Sequence, residues 1–355
     1  MQTDYQIAGE TIIARKRELA EAACAWQYER QPGVWEPYGE IGRQRAIEDA
    51  EYHLTFLAEA LSAQHLPLFT QYVAWAKGLF TGLGLPDDAL QMGLECQMDV
   101  LRTKLPSELS GPANEYNAAA IAHLSEYPNT PLPFVDETHS LGPLTKRYLD
   151  ALLRGERHEA NKLIIEAARS GVAIREIYEQ VFERSQKEVG RLWQTNQLTV
   201  AQEHYCTAST QLIMSQFYPQ LFATPRNGRR LVAACVSGEL HEIGARMVTD
   251  FFELDGWDTY YLGANSPTHT IVQAVVDRKA DVLAVSSTMT FHLRQVREII
   301  AAVRASPSAR SVKILVGGYP FSVVTGLWTE IGADGSGISA SGAVDVGNQL
   351  AGSKH

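Results

Sequence analysis

The sequence predicts a multidomain protein with an all-α N-terminal domain, a four-helix bundle and a C-terminal doubly wound parallel α/β domain of Rossmann-like type. Two observations carry this prediction. Apolar residues recur at helical spacing as far as residue 224, whereas short apolar runs alternate with amphipathic segments from Arg229 onward. At 355 residues the chain is long enough for several hydrophobic cores. We place the domains at 1–126, 141–224 and 229–350, with a Pro-rich linker at 127–140.

Composition argues against several classes of function. The formal net charge is −10 and no basic block offsets it, so we expect no nucleic-acid partner. The cysteines Cys24, Cys96, Cys206 and Cys235 form no Cys-x-x-Cys pair, so neither a zinc site nor a disulfide framework is indicated. The sequence contains no basic start followed by an apolar segment and no apolar run of spanning length. We therefore expect a cytoplasmic protein without membrane attachment.

The N-terminal domain is predicted to consist of helices separated by Pro- and Gly-containing breaks, and a globin-like arrangement is one option. The helices are expected at 7–29, 41–63, 68–83, 89–104 and 112–125. Asp87 is the expected N-cap of the fourth. The segment is not basic and contains no helix-turn-helix pattern, which argues against DNA binding.

Aromatic residues are concentrated in the second and third predicted helices. They are Tyr52, Phe56, Tyr72, Trp75 and Phe80. These side chains could line a pocket for a flat conjugated ligand, or they could form the core of a helical bundle. Periodicity alone favours the core by roughly two to one. His53 is the sharpest polar candidate within this apolar stripe, although a hydrogen-bonded core histidine is the commoner explanation.

The middle of the chain is predicted to form four antiparallel helices. They are expected at 143–153, 157–170, 173–193 and 200–221, with short connections typical of a bundle. Trp193 ends the third helix, nine residues intervene, and Glu203 and His204 open the fourth, for which Thr199 is the expected N-cap. An indole, a carboxylate and an imidazole would thus meet at one end of the bundle. Such a set suits a nucleoside-like group.

The C-terminal third alternates strands and helices, as a parallel doubly wound sheet does. Strands are expected at 231–236, 259–262, 282–286 and 313–316, and helices at 243–254, 268–278, 293–304 and 321–331. Polar and Gly residues follow the strands at one edge, where open α/β sheets bind ligands. These strand-end residues are Ser237, Glu239, His241, Gly244, Ser286, Thr288, Gly317 and Gly318.

His241 is the central candidate at this edge. A lone loop histidine is more often solvated or part of a phosphate turn, but here carboxylates and Gly residues surround it. A carboxylate such as Glu239 could hold one ring nitrogen and fix the tautomer of a metal-ligating imidazole.

The strand ends together resemble the cobalamin-binding domain shared by methionine synthase, corrinoid methyl carriers and cobalamin mutases. The family pattern is an acidic residue, any residue, His, two residues and Gly, followed by a Ser-containing stretch and a Gly pair. It is matched by Glu239, His241 and Gly244, by Ser286 and Thr288, and by Gly317 and Gly318. The resemblance implies that His241 replaces dimethylbenzimidazole below cobalt and that Glu239 orients it. The cleft lined by the Ser, Thr and Gly residues would hold the displaced nucleotide tail.

The bundle resembles a second family, the adenosylcobalamin-dependent light-sensing regulators. In that family a Trp and a Glu-His pair enclose the upper adenosyl group, which implies the same role for Trp193, Glu203 and His204. A His follows the Trp there and ligates cobalt after light breaks the Co–C bond. This sequence has Gln194 instead, so His204 or water would have to fill that position.

The helical N-terminal domain adds a resemblance to the photocobilins, which pair cobalamin with biliverdin. It implies biliverdin as a second cofactor and His53 with the aromatic cluster as its pocket. The first hypothesis is therefore a light sensor, not an enzyme, in which photolysis of adenosylcobalamin changes domain or subunit packing. We expect a light-dependent homo-oligomer and a downstream regulatory enzyme or domain as partner.

Two other hypotheses stay open. The chain could be a corrinoid methyl carrier that serves separate methyltransferases, which would use His241 and the sheet without an adenosyl pocket. It could also bind cobalamin without photochemistry. A mutase is disfavoured because the chain contains no barrel domain of the necessary length.

Overall fold

A computed structural model describes residues 2–352, which form two compact units. The first unit runs to Pro131 and includes Gln194–Asn196. The second comprises Leu132–Trp193 and the chain from Gln197 onward. Within the described residues no helix is both long and apolar enough to cross a membrane.

The first unit is helical, as predicted. Its helices are α1 (Asp4–Ala14), α2 (Lys16–Arg30), α3 (Pro32–Trp35), α4 (Gly39–Ala63), α5 (Leu66–Gly82), α6 (Ala89–Lys104) and α7 (Ser107–His123). The helix expected at 7–29 is divided at Arg15, whose φ of −114° and ψ of 12° lie outside the α region. The predicted cap at Asp87 is wrong, since Asp88 precedes α6, and Pro112 lies inside α7 rather than at its start.

The second unit begins with the predicted bundle. Its helices are α8 (Gly142–Leu153), α9 (Arg157–Arg169), α10 (Ile174–Glu176), α11 (Glu183–Gln194), α12 (Val200–Met214) and α13 (Tyr218–Phe222), with a π-helical turn at Ile177–Phe182. Thr199 caps α12 as predicted. Its Oγ1 accepts the Gln202 N–H at 3.3 Å, and the Gln202 side chain accepts the Thr199 N–H at 3.0 Å. This reciprocal cap places Glu203 and His204 in the first turns of the helix.

A five-stranded parallel sheet follows within the described residues, in the order β2-β1-β3-β4-β5. Its elements are β1 (Arg230–Cys235), α14 (Ile243–Leu254), β2 (Asp258–Tyr261), α15 (Thr268–Arg278), β3 (Val282–Ser286), α16 (Leu293–Ala305), β4 (Lys313–Gly317), α17 (Tyr319–Val323), α18 (Leu327–Glu330), β5 (Gly335–Gly337) and α19 (Ala340–Ala351). The predicted helical N-terminal region, helical bundle and parallel α/β sheet are confirmed. The finer domain boundaries stay predictions.

Three details of this part differ from expectation. The helix expected at 321–331 is divided into α17 and α18, because Val324 is extended and Gly326, which precedes α18, adopts a φ of +86°. The Gly-rich segment after residue 332 was not expected to contain β5 or to lead into α19. β5 reads Gly-Ser-Gly and therefore carries no apolar signal.

The bundle and the sheet share one core in the second unit. The buried Tyr178 hydroxyl donates to Asp250 Oδ2 of α14 at 2.9 Å, and its ring packs near those of Phe217 and Phe251. On the other side of α14, the ring of Phe252 packs edge-on against Trp257 at 5.0 Å. This shared core holds the bundle in a fixed position relative to the strand ends.

Candidate functional site

The candidate site begins at the carboxyl ends of the parallel strands. Cys235, Ser286, Gly317 and Gly337 are register partners and end β1, β3, β4 and β5. The pairing continues one step beyond the strands, since Ser287 N–H donates to the Gly317 carbonyl at 3.0 Å. The structure therefore brings these strand ends together at one edge of the sheet.

The loop after β1 is held by the loop after β2. Gly238 has a φ of +82°, and its N–H donates to Asn265 Oδ1 at 2.8 Å. The Asn265 N–H in turn donates to the Glu239 carbonyl at 2.9 Å. A side chain other than Gly at position 238 would also approach His292, because an added Cβ would lie 3.0 Å from its Nε2. The hydrogen bonds with Asn265 and the close packing against His292 together fix the backbone of the segment that carries Glu239 and His241.

The carboxylate of Glu239 is the most fully hydrogen-bonded group at this edge. Its residue is 0% exposed. Oε1 accepts from His241 Nδ1 at 2.6 Å and from the His241 N–H at 3.0 Å. Oε2 accepts from the backbone N–H groups of Thr288 at 2.7 Å and Met289 at 3.0 Å, and from His292 Nδ1 at 3.0 Å.

These hydrogen bonds keep Glu239 ionised inside the protein. Burial alone would raise its pKa, but the hydrogen bonds from His241, His292 and the backbone outweigh burial and hold the pKa well below the ordinary value. An ionised carboxylate can only accept, so both histidines donate their Nδ1 protons to it.

His241 projects from this anchor toward solvent, with 60% of its side chain exposed. Because Nδ1 is held by Glu239, Nε2 is the ring nitrogen that a metal could use. The hydrogen bond to Glu239 is the largest cause of a raised pKa for His241. Burial opposes the shift, while the charges of Glu239 and Glu203 add to it.

Glu242 joins the His241 loop to the bundle and to β2. Its Oε1 accepts from Gln211 Nε2 of α12 at 2.8 Å. Its Oε2 accepts from the Tyr261 hydroxyl at 3.2 Å and from the Ala264 N–H at 3.1 Å. Glu242 was not among the predicted site residues, and its place directly after His241 was the only sequence signal for it.

The bundle end contains the other predicted residues. His204 is 73% exposed, and its Nδ1 lies 2.5 Å from Glu203 Oε2. Glu203 Oε1 also accepts from the Thr207 hydroxyl at 2.8 Å. Trp193 is half-buried at the end of α11. Gln194, which belongs to the first unit, is buried, and its Nε2 donates to the Trp75 carbonyl at 2.7 Å.

The Gly pair at the end of β4 allows the neighbouring backbone to approach closely. An added Cβ on Gly317 would lie 3.2 Å from the Gly337 carbonyl oxygen. Gly318 has a φ of +112°, and an added Cβ would lie 1.9 Å from the Ser287 carbonyl oxygen. On neighbouring β5, the Ser336 hydroxyl is buried and makes no hydrogen bond within the described residues. A buried hydroxyl without a partner near this edge suits a polar ligand tail.

His53 belongs to the first unit and lies in its core. It is 7% exposed, its Nδ1 lies 2.7 Å from the Tyr72 hydroxyl, and Tyr72 stacks on Phe56 with centroids 3.7 Å apart. Complete burial lowers the pKa of His53 to about 4. The aromatic cluster is largely core, although Tyr52 and Trp75 are exposed.

Comparisons with known proteins identify the module. Residues 144–217 and 229–345 each match a family described as B12 binding domain. Dimethylamine corrinoid protein 1 of Methanosarcina acetivorans is 26% identical over 192 residues, which cover 52% of this chain and 87% of the relative. A corrinoid protein of Desulfitobacterium hafniense is 31% identical over 124 residues, 35% of this chain and 56% of that protein.

One solved structure extends the comparison to the fold. The monomethylamine corrinoid protein of Methanosarcina barkeri matches with a TM-score of 0.53 and 22% identity, covering 59% of this chain and 100% of that chain. The chain therefore contains a cobalamin-binding module, composed of the helical bundle and the Rossmann-like domain.

The light-sensor hypothesis is wrong. Several relatives over this module are corrinoid proteins named for dimethylamine, and they agree with the methyl-carrier alternative. Nothing in the comparisons supports the adenosyl form, biliverdin or light-dependent assembly. The prediction rested on Trp193, Glu203 and His204. An indole, a carboxylate and an imidazole at the end of a bundle do not by themselves require an adenosyl group or photochemistry.

Proposed function

We propose that this protein is a corrinoid carrier, which holds cobalamin and passes a methyl group between separate methyltransferases. The observation that carries the proposal is the exposed, carboxylate-held His241 in a module similar to dimethylamine corrinoid proteins over 52% of the chain. Catalysis would belong to the partner methyltransferases, and the chain would contribute the cofactor and its binding site. A downstream regulatory domain is not required.

The residues at the strand ends fit cobalamin. His241 offers Nε2 as a nitrogen ligand, and its other ring nitrogen is fixed by an ionised acceptor, as in many metal-ligating histidines. Gly317 and Gly318 let the strand end pack closely against the backbone of Gly337 and Ser287, which an added Cβ would prevent. Ser336 presents a buried hydroxyl that lacks a partner among residues 2–352. His241 would be the protein ligand to cobalt, and Ser237, Gly244, Ser286, Thr288, Gly317 and Gly318 would contact the nucleotide tail.

When bound, cobalamin supplies a cobalt centre that can accept and release a methyl group. The chain's own residues then have three tasks. Glu239 holds the Nδ1 proton of His241, so that Nε2 keeps its lone pair for the metal. Glu242 ties the loop to α12 and β2, which limits the movement of His241. Glu203 and His204 stand near the start of α12, the helix that contacts the loop through Gln211, and together with Trp193 they would shape access to the cofactor.

The lower-ligand assignment is tested with the full chain loaded with hydroxocobalamin and reduced to the Co(II) state. Electron paramagnetic resonance of protein labelled with ¹⁵N-histidine should give nitrogen splitting from a protein histidine. His241→Ala should abolish that splitting, whereas His204→Ala should preserve it. An unchanged spectrum in His241→Ala would refute the assignment.

Carrier function is tested by access to the metal. The loaded chain, reduced with titanium(III) citrate, should take up a methyl group from methyl iodide at a rate within about tenfold of free cobalamin, followed by absorbance in the dark. A carrier must expose its cobalt to a donor, so protection by more than a hundredfold would indicate storage rather than transfer. Parallel binding measurements with methylcobalamin and adenosylcobalamin determine which upper ligand the site prefers.

A further inference from the structure

A cavity lies inside the first unit, outside the residues that match the B12 binding domain family. Helices α2, α3, α4 and α6 enclose it, together with the end of α5. Apolar side chains such as Phe80, Leu85 and Leu90 form part of its wall. Several polar side chains also line it, among them a carboxylate, which is unusual for a space inside a helical core.

Asp49 is the charged group at this cavity. It is half-buried on α4, one helical turn before His53, and it makes no hydrogen bond or ion pair within residues 2–352. Burial is the largest cause that raises the pKa of Asp49 to about 6, and the charge of Glu48 adds to it. Arg45 opposes the shift only weakly, because its mostly exposed guanidinium is paired with Glu48 at 2.9 Å.

Trp35 places an unpaired donor at the same cavity. The residue is 7% exposed, and its Nε1 is buried without a hydrogen-bond partner in the part of the chain that the structure describes. Buried polar groups are nearly always paired, so an orphaned indole N–H beside a cavity indicates a missing acceptor.

The other polar side chains at the cavity have partners on other residues. Gln27 Nε2 donates to the Ala89 carbonyl at 2.8 Å, and Gln97 Nε2 donates to Asn117 Oδ1 at 2.8 Å. Burial lowers the pKa of His53 to about 4, so its ring is neutral, and its Nδ1 is bonded to the Tyr72 hydroxyl. The lining contains neither Lys nor Arg. The cavity thus combines one carboxylate, two amide side chains and the unpaired N–H of Trp35.

We propose that this cavity binds a small organic ammonium ion that carries at least one N–H. The N–H group donates to Asp49, the alkyl part contacts the apolar wall, and a hydroxyl of the ligand or an adjacent water accepts from Trp35 Nε1. A divalent metal ion is a poorer occupant, since no group of metal-binding side chains occurs among the described residues. This proposal is independent of the corrinoid-carrier function.

Isothermal titration calorimetry on the full chain tests the proposal. Methylammonium, dimethylammonium and ethanolammonium chlorides should bind saturably with one site per chain at constant ionic strength. Tetramethylammonium lacks an N–H, and acetamide lacks the charge, so both should bind at least tenfold more weakly.

Variants assign the contacts. Asp49→Asn removes the charge at nearly constant volume and should weaken every amine at least tenfold, whereas Asp87→Asn, an exposed residue of the same unit, should leave affinity unchanged. Trp35→Phe should weaken ethanolammonium more than methylammonium. Ala50→Val fills part of the cavity but keeps Asp49, and it should also weaken binding if the amine occupies this space.

The proposal fails on any of three results. These are an absence of saturable binding at 10 mM amine, equal affinity for tetramethylammonium, and equal affinity in Asp49→Asn. A crystal structure of the amine-soaked protein with ordered water only in the cavity would likewise overturn it. Circular dichroism of each variant checks that the fold is retained. If Trp35→Phe is misfolded, Asp49→Asn and Ala50→Val still decide the outcome.

Discussion

His292 Nδ1 donates a hydrogen bond to Glu239 Oε2 over 3.0 Å, with both residues buried. The other carboxylate oxygen receives the exposed His241 at 2.6 Å. One carboxylate therefore links a buried imidazole to the proposed cobalt ligand. The buried histidine restricts the rotation of the carboxylate, and the carboxylate restricts the rotation of His241.

This relationship predicts that His292 is a positioning residue for cobalamin. His292→Ala removes one donor to Glu239, and loss of such an outer partner typically weakens metal-site affinity about 10- to 100-fold. Titration calorimetry with hydroxocobalamin should detect the loss. His292→Asn retains a donor and should recover part of the affinity, while the exposed His269→Ala should match the parent. Equal affinity in His292→Ala would contradict the prediction.

Glu239 should also contribute to the stability of the chain without cofactor. In Glu239→Gln the new amide NH2 must face either the two donors now bonded to Oε1 or the three bonded to Oε2, and the charge-assisted hydrogen bonds are lost. We expect the free energy of unfolding to fall by about 2 kcal/mol. Urea denaturation measures the change. The exposed Glu298→Gln is the matched control and should stay within about 0.5 kcal/mol of the parent; a similar value for Glu239→Gln would mean that the loop reorganises without cost.

Glu239 and His241 could be predicted from the sequence, whereas His292 could not, and the reason is geometric. Glu239 and His241 follow a strand directly, so strand-helix alternation alone puts them at the ligand edge. His292 lies 53 residues from Glu239 in the chain and inside a short 3-10 turn before α16. No sequence periodicity predicts which side chain of a loop is buried. Only the register of β1 with β3 brings the two loops together.

The absence of a sequence pattern also explains why β5 was not predicted. Strands β1, β3 and β4 are continuous apolar runs and were located to within a residue or two. β5 is recognised by its pairing with β4 and not by its composition. Gly335 and Gly337 have no side chains, so they cannot contribute to an apolar alternation. Gly335 is nevertheless constrained by its neighbours, since an added Cβ would lie 2.7 Å from Val346 of α19.

Gly318 should be among the least replaceable residues of the site. In Gly318→Ala the methyl group would combine an unfavourable φ of +112° with a 1.9 Å approach to the Ser287 carbonyl oxygen. We expect a loss of unfolding free energy of about 2 kcal/mol or more, together with weaker cobalamin binding. Gly326→Ala separates the two causes, because its φ is +86° but its Cβ would meet open space. That control should lose only about 1 kcal/mol in the same urea titration. Equal losses would show that backbone strain alone is responsible.

Asp250 should make stability depend on pH. Burial is the main cause that raises its pKa from 3.8 to about 6, against the opposing hydrogen bond from Tyr178. Below pH 3.8 the carboxyl group is protonated in the folded and the unfolded chain, so it has no effect. Between pH 3.8 and 6 the unfolded chain releases the proton more readily, so stability falls as pH rises. Above pH 6 the full cost of the buried charge applies, about 3 kcal/mol for a shift of this size.

Asp250→Asn should therefore stabilise the protein at neutral pH. The amide oxygen can still accept from the Tyr178 hydroxyl, while the buried charge is gone. We expect the variant to exceed the parent by about 2 to 3 kcal/mol at pH 7.5, with the difference shrinking to about 1 kcal/mol near pH 4.5 and toward zero below pH 3.8. Urea denaturation followed by circular dichroism at several pH values measures this difference. The exposed Asp345→Asn should show no such trend. A difference that does not change with pH, or a destabilised Asp250→Asn, would mean that Asp250 is ionised in a site that stabilises its charge.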